Sequence, residues 1–207
     1  MRFGVGQVDT RYANGSKPQF TCPRTDTRPQ LGCVQCIFYV SAMCRHEPIP
    51  ETVQYSWASE ADTAAFARQL ARAPELRDAT LELRGDLGAG KTTFVRHLLR
   101  ALGVTGRVKS PTYALVEPHQ TPAGWLVLHF DFYRFSDPRE WAEAGLRDLY
   151  AGPGLKLAEW PEQAAGVLPV PDLAISLQVL ADERRAVTVQ ACTARGEKLM
   201  QSIKTLP

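Results

Sequence analysis

The stretch ATLELRGDLGAGKTTFVRHLLRALG, residues 79–103, decides how this chain folds. Its first seven residues read as a buried strand ending in glycine. Residues 90–102 read as a helix, because Phe94, Val95, Leu98, Leu99 and Leu102 recur at intervals of three and four. Gly103 supplies the stop. Between them lies Gly85-Asp86-Leu87-Gly88-Ala89-Gly90-Lys91-Thr92. It matches G-x-x-x-x-G-K-[ST] in full, and in the strand–loop–helix context that the motif requires.

The residue types follow from phosphate chemistry. Glycines let the backbone curl so that successive N–H groups point inward. The helix N-terminus places a positive dipole end beneath the anion. Lys91 is placed to reach the β- and γ-phosphates as a mobile point charge. The hydroxyl of Thr92 can ligate magnesium, and Thr93 can add a hydroxyl on the α-phosphate side. Nucleotide binding, with ATP and Mg2+ as ligands, is therefore the primary expectation.

Moving outward, VQYSW at 53–57 reads as a short strand, and Ser59 followed by Asp62 resembles a capping box. WLVLHFDF at 125–132 and LKLAEW at 155–160 read as buried strands. DPREWAEAGLRDLY at 137–150 reads as a helix with Asp137 as cap and Pro138 at its first position. DLAISLQVL at 172–180 and RAVTVQAC at 185–192 read as two strands joined by a turn. Strands alternating with helices, then a late pair of strands, predict an α/β fold of the P-loop NTPase kind: a mainly parallel sheet with antiparallel edge strands, flanked by helices.

Asp131 ends one apolar strand and Glu159 another, so both are expected at the carboxyl edge of a parallel sheet, where such proteins bind ligands. A second acidic ligand is what a P-loop needs for its metal. Asp131 is the candidate catalytic group beside Lys91, and Glu159 the candidate metal ligand beside Thr92. Ser110-Pro111-Thr112-Tyr113 follows the P-loop helix by a short loop and is placed to act as a γ-phosphate switch. His129, Tyr133 and Arg134 surround Asp131. A lone strand histidine is more often a core residue than a catalyst, and Arg134 is placed either to neutralise phosphate or to pair with a carboxylate.

The remaining bounds are simple. The 207 residues suit one domain with a real core. The net charge of +2 is too small to imply nucleic-acid binding by charge alone. With no bilayer-length apolar run and no secretory h-region, the expectation is a cytoplasmic protein without membrane association. Residues 1–50 mix Pro, Gly, Thr, Arg and Cys without periodicity, and disorder or a loosely attached extension is expected there. Met43 is a second candidate start codon within that segment. Cys33 and Cys36 form a C-x-x-C without a second pair, so Cys22, Cys33, Cys36 and Cys44 read as unpaired thiols. The domain is expected over 51–195, followed by a tail at 196–207.

Taken in order, G-D-L-G-A-G-K-T-T, S-P-T-Y, H-F-D-F-Y-R and A-E-W-P-E resemble the TsaE family, formerly YjeE. The resemblance covers roughly residues 53–195. It implies an ATPase, slow without partners, that works with TsaD and TsaB in adding threonylcarbamoyl to adenosine in tRNA. Contact with tRNA would be indirect, through the complex. It further implies Lys91 and Thr92 as the phosphate lysine and magnesium threonine, Asp131 as the catalytic acid and Glu159 as the second magnesium ligand. Trp160 would sit in a conformationally sensitive loop with Ser110–Tyr113 as the switch, and Thr63 and Arg184 would lie near the adenine. The main alternative is a small-molecule P-loop kinase, although Arg184 and Arg185 are the only adjacent arginines available for a lid. A GTPase would need N-K-x-D and D-x-x-G, and neither string occurs.

Overall fold

The computed structural model describes residues 51–137, 141 and 145–204. Seven strands form one sheet: β1 (Thr52–Trp57), β2 (Thr80–Arg84), β3 (Val116–Gln120), β4 (Leu126–Asp131), β5 (Leu155–Glu159), β6 (Leu173–Val179) and β7 (Arg185–Ala191). Their order across the sheet is β1-β7-β6-β2-β5-β4-β3. The central four, β6, β2, β5 and β4, are parallel. β1 and β7 pair antiparallel on one side, and β3 pairs antiparallel with β4 on the other. The expected parallel sheet with antiparallel edges is therefore present.

The strands explain their own positions. β5, LKLAE, is buried at every residue, as a strand covered on both faces must be. Alternation assigns the two faces. Leu81, Leu83, Val127, Leu157 and Val189 pack with Phe66, Leu70, Phe94, Leu98, Leu199 and Ile203 in one core. Leu128, Phe130, Phe132, Trp141, Tyr150 and Ala158 build a second, aromatic core. The helices of the first core are α1 (Glu60–Leu70), α2 (Lys91–Ala101) and α4 (Ala194–Ile203); the short α3 (Leu146–Ala151) belongs to the second.

α1 starts where the sequence places it. The Ser59 N–H donates to Asp62 Oδ2 at 2.9 Å, and the Asp62 N–H donates to the Ser59 carbonyl at 3.2 Å. Of the helix expected over 137–150, only Leu146–Ala151 and Trp141 fall within described residues as helix. The segment 1–50, with its four cysteines, lies outside them.

Two elements depart from expectation. β3, VEPHQ, carries a proline and no apolar alternation, so it does not read as a strand. As an edge strand it tolerates Pro118, which has no N–H to give to a ladder. Residues 196–203 are not a tail but most of α4, whose Leu199, Met200 and Ile203 are fully buried. Gly196 near its start weakens the helical pattern. The packing explains that glycine: a Cβ there would overlap the Asp172 carbonyl oxygen. Thr193 caps α4 by accepting from the Gly196 N–H at 3.1 Å, and its hydroxyl also donates to Asp172. Gly196→Ala is therefore expected to destabilise the fold by roughly 2–3 kcal/mol through overpacking. That corresponds to a fall of roughly 5–10 °C in the melting temperature of a domain this size. A thermal scan with an unchanged midpoint would contradict the close approach.

Candidate nucleotide-binding site

β2 is the central strand from which the site grows. Its neighbours β5 and β6 run parallel, so the loop after β2 emerges at the carboxyl edge between them. Gly85, Gly88 and Gly90 all take positive φ, of 131°, 82° and 109°, a region that side chains strain to enter. At Gly85 space forbids a side chain as well, since a Cβ would overlap the Leu177 carbonyl oxygen. Gly90 ends the loop as the left-handed N-cap of α2. Leu87, Gly88 and Gly90 of the loop, with Lys91, Thr92 and Thr93 of the first turn of α2, thus line one open cavity of about 280 Å³.

The register of the sheet brings the acids to the same place. Asp131 at the end of β4 lies directly opposite Glu159 at the end of β5, and Glu159 lies opposite Leu83 of β2. The Thr92 hydroxyl donates to Glu159, 2.9 Å from Oε1 and 3.0 Å from Oε2. Asp131 Oδ2 accepts from the hydroxyls of Ser110 and, at 2.9 Å, Thr112, while its Oδ1 accepts the Tyr133 N–H at 2.9 Å. Both acids are buried at their sheet positions yet line the cavity with Lys91, Thr92, Thr93, Ser110, Thr112 and Trp160.

Lys91 is folded back on its own loop. Its Nζ donates to the carbonyls of Gly85 at 2.5 Å and Asp86 at 2.9 Å, and sits 3.7 Å from the centroid of the Trp160 ring. Burial pushes its pKa below the usual lysine range, and the carboxylates of Glu159, Glu162, Asp131 and Asp86 oppose that shift. Trp160 itself takes a left-handed backbone, φ 56°, uncommon for a bulky residue. That turn directs the chain away after Glu159 and leaves the indole against Tyr133, 5.0 Å between ring centroids.

A second cavity of about 240 Å³ lies on the other side of the loop. Thr63 of α1 lines it together with Trp57, Gly88, Ala89, Gly90, Thr93, Leu177 and Arg185. The two cavities share Gly88, Gly90 and Thr93, so one ligand reaching both would pass over the start of α2.

A family model described as threonylcarbamoyl adenosine biosynthesis protein TsaE matches residues 57–187. The chain belongs to the TsaE family. It is 38% identical over 137 residues to the Haemophilus influenzae tRNA threonylcarbamoyladenosine biosynthesis protein TsaE, covering 66% of this chain and 85% of that one. Its identity to the Bacillus subtilis protein of the same name is 36% over 142 residues, 68% of this chain and 82% of the relative. The crystal structure of Bacillus subtilis YdiB superposes with a TM-score of 0.61 at 27% identity, covering 75% of this chain and 96% of that chain. The P-loop-like fold is thus shared with a solved structure.

Within this TsaE protein the P-loop, Asp131, Glu159, Ser110, Thr112 and Trp160 converge on one cavity, and Thr63 on the adjoining one. Pro111, between Ser110 and Thr112, is buried. Tyr113 points out: it is 84% exposed, and its hydroxyl accepts from Arg134, whose guanidinium lies 4.4 Å from the ring centroid. Among the described residues, Arg134 therefore pairs with Tyr113 and with no carboxylate or P-loop residue. Arg184 is exposed and paired with Asp182 at 2.6 Å, whereas Arg185 lines the second cavity. Alternation along β7 holds the signal that finds it: Arg185 shares a face with Val187 and Val189, which point at the helices of the first core. No described helix is long and apolar enough to cross a membrane.

Proposed function

We propose that this protein binds and hydrolyses ATP with Mg2+ as the ATPase component of threonylcarbamoyladenosine biosynthesis on tRNA, supporting turnover by TsaB and TsaD homologues. Its membership of the TsaE family supports the pathway. The observation that supports the ATPase reading is the contact of the Thr92 hydroxyl with both oxygens of Glu159, beside Lys91 and Asp131 at the mouth of one P-loop.

The donor set fits magnesium. Thr92 and Glu159 offer oxygen atoms only, which a hard cation prefers. Among the described residues no group of three or more His, Cys, Asp or Glu side chains could hold a metal by itself, so phosphate oxygens and water would complete the shell. When bound, the ion would neutralise charge on the β- and γ-phosphates. The chain's own residues do the rest. The loop amides and the α2 N-terminus cradle the phosphates. Lys91 exchanges its two loop carbonyls for phosphate oxygens, a move that its point-charge head and flexible stem permit. Asp131 orients the attacking water, and Ser110 and Thr112 hold its carboxylate until the γ-phosphate arrives. The second cavity takes the base, with Thr63 and Arg185 on its wall. Catalysis rests on positioning and charge, with no covalent intermediate.

The test is reconstitution with TsaB and TsaD homologues, tRNA, ATP and a threonylcarbamoyl donor. Repeated rounds of modification are expected only when this protein and hydrolysable ATP are present. Equal modification without it would contradict the pathway role. ATP-dependent phosphorylation of a metabolite at metabolic rates would favour the kinase instead.

A further inference from the structure

His129 is fully buried in the middle of β4, on the face that also carries Asp131. Register sets it opposite Leu157 of β5, one step diagonal from Glu159 on the same face. Its Nε2 lies 2.9 Å from Glu159 Oε1. That oxygen already accepts the Thr92 hydroxyl, so the carboxylate is held from two sides, by a helix and by a strand. An ionised carboxylate has no hydrogen to give, so the hydrogen must sit on His129 Nε2.

The other ring nitrogen carries the argument. His129 Nδ1 is buried and, among the described residues, has no hydrogen-bond partner. Its ring neighbour His119 of β3, 6.4 Å away between centroids and inclined at 30°, also leaves its Nε2 buried and unpartnered. An aliphatic side chain would fill such a position without stranding a polar atom. A half-satisfied imidazole in the core is a cost that only its one good bond, to Glu159, offsets.

We infer that His129 is a positioning residue that orients the Glu159 carboxylate for the metal it shares with Thr92. The inference rests on the magnesium site proposed above. Groups that hydrogen-bond a metal ligand fix its orientation, and their loss commonly weakens metal affinity 10- to 100-fold. Here the donor reaches Glu159 from behind. Oε1 meets both His129 and Thr92, whereas Oε2 meets Thr92 alone.

The experiment uses the full chain with ADP, and Mn2+ in place of Mg2+, reading free Mn2+ by electron paramagnetic resonance. His129→Leu is expected to weaken Mn2+ binding about tenfold or more while ADP affinity in EDTA stays at the wild-type value. His129→Gln, which carries an amide N–H near the Nε2 position, is expected to recover most of the loss. Nitrogen NMR of the metal-free protein is expected to place the ring hydrogen of His129 on Nε2. Wild-type Mn2+ affinity in His129→Leu would overturn the inference, as would equal losses in the Leu and Gln variants or a hydrogen on Nδ1 alone. If His129→Leu fails to fold, the NMR result and the Gln variant decide. Glu159→Ala separates the two levels. Wild-type Mn2+ binding in Glu159→Ala would overturn the metal site itself. A weakened Glu159→Ala beside an unaffected His129→Leu would overturn only the role of His129.

Discussion

Replacing Lys91 with alanine is expected to lower ATP affinity by at least about 100-fold, measured by calorimetry with MgATP. The loss is expected to be large because this ammonium lines the cavity and, among the described residues, forms no salt bridge that would hold it elsewhere. Its present partners are two carbonyls of its own loop and the face of Trp160. Each charge-assisted bond to phosphate is worth roughly 1.5–3 kcal/mol, so two give a change of that order. The fold should survive, because Gly85, Gly88 and Gly90 set the loop's path by their own backbone angles. An unchanged affinity would remove the phosphate assignment altogether. Lys91→Arg is expected to be impaired as well. A planar guanidinium cannot replace a compact ammonium in a space bounded by loop carbonyls and an indole.

Asp131→Asn is expected to lower kcat for ATP hydrolysis by roughly 10²–10³, within the range for loss of a positioned acid or base. KM should stay within a few-fold, as expected of a group proposed to act on the reaction and not on ground-state binding. The change is nearly isosteric: the asparagine oxygen can still accept from the Tyr133 N–H, and its NH2, standing where Oδ2 was, can donate to the hydroxyl oxygens of Ser110 and Thr112. Structure is therefore preserved while the negative charge is lost. Steady-state kinetics, with binding of a non-hydrolysable analogue measured alongside, separates the two effects. A kcat within about threefold of wild type would show that Asp131 serves the fold alone.

The two variants probe different strands of one argument. Lys91 opens α2 directly after the loop that follows β2, and its placement was legible because the motif is contiguous. Asp131 and Glu159 are 28 positions apart, and their ends were legible only as strand ends. What makes them a pair is the order β2-β5-β4, which sets Glu159 beside the P-loop and Asp131 beside Glu159. The same reasoning explains the misses. Helix α4 was hidden by a glycine that tertiary contact with Asp172 demands. β3 was hidden by a proline that only an edge position tolerates. Arg185 reaches the second cavity through the alternation of β7, which the composition of the preceding turn does not record.

The sequence by itself determined the phosphate loop, the succession of strands and helices, and which acidic residues end buried strands. These depend on neighbours in the chain, and local periodicity and backbone freedom record them directly. Only the tertiary structure decided that Glu159 touches Thr92, that His129 stands behind Glu159, that Lys91 rests beneath Trp160 and that Arg185 faces the second cavity. Those contacts join residues from different strands. Lateral strand order and diagonal register come from the packing of the whole sheet, and no single segment carries them.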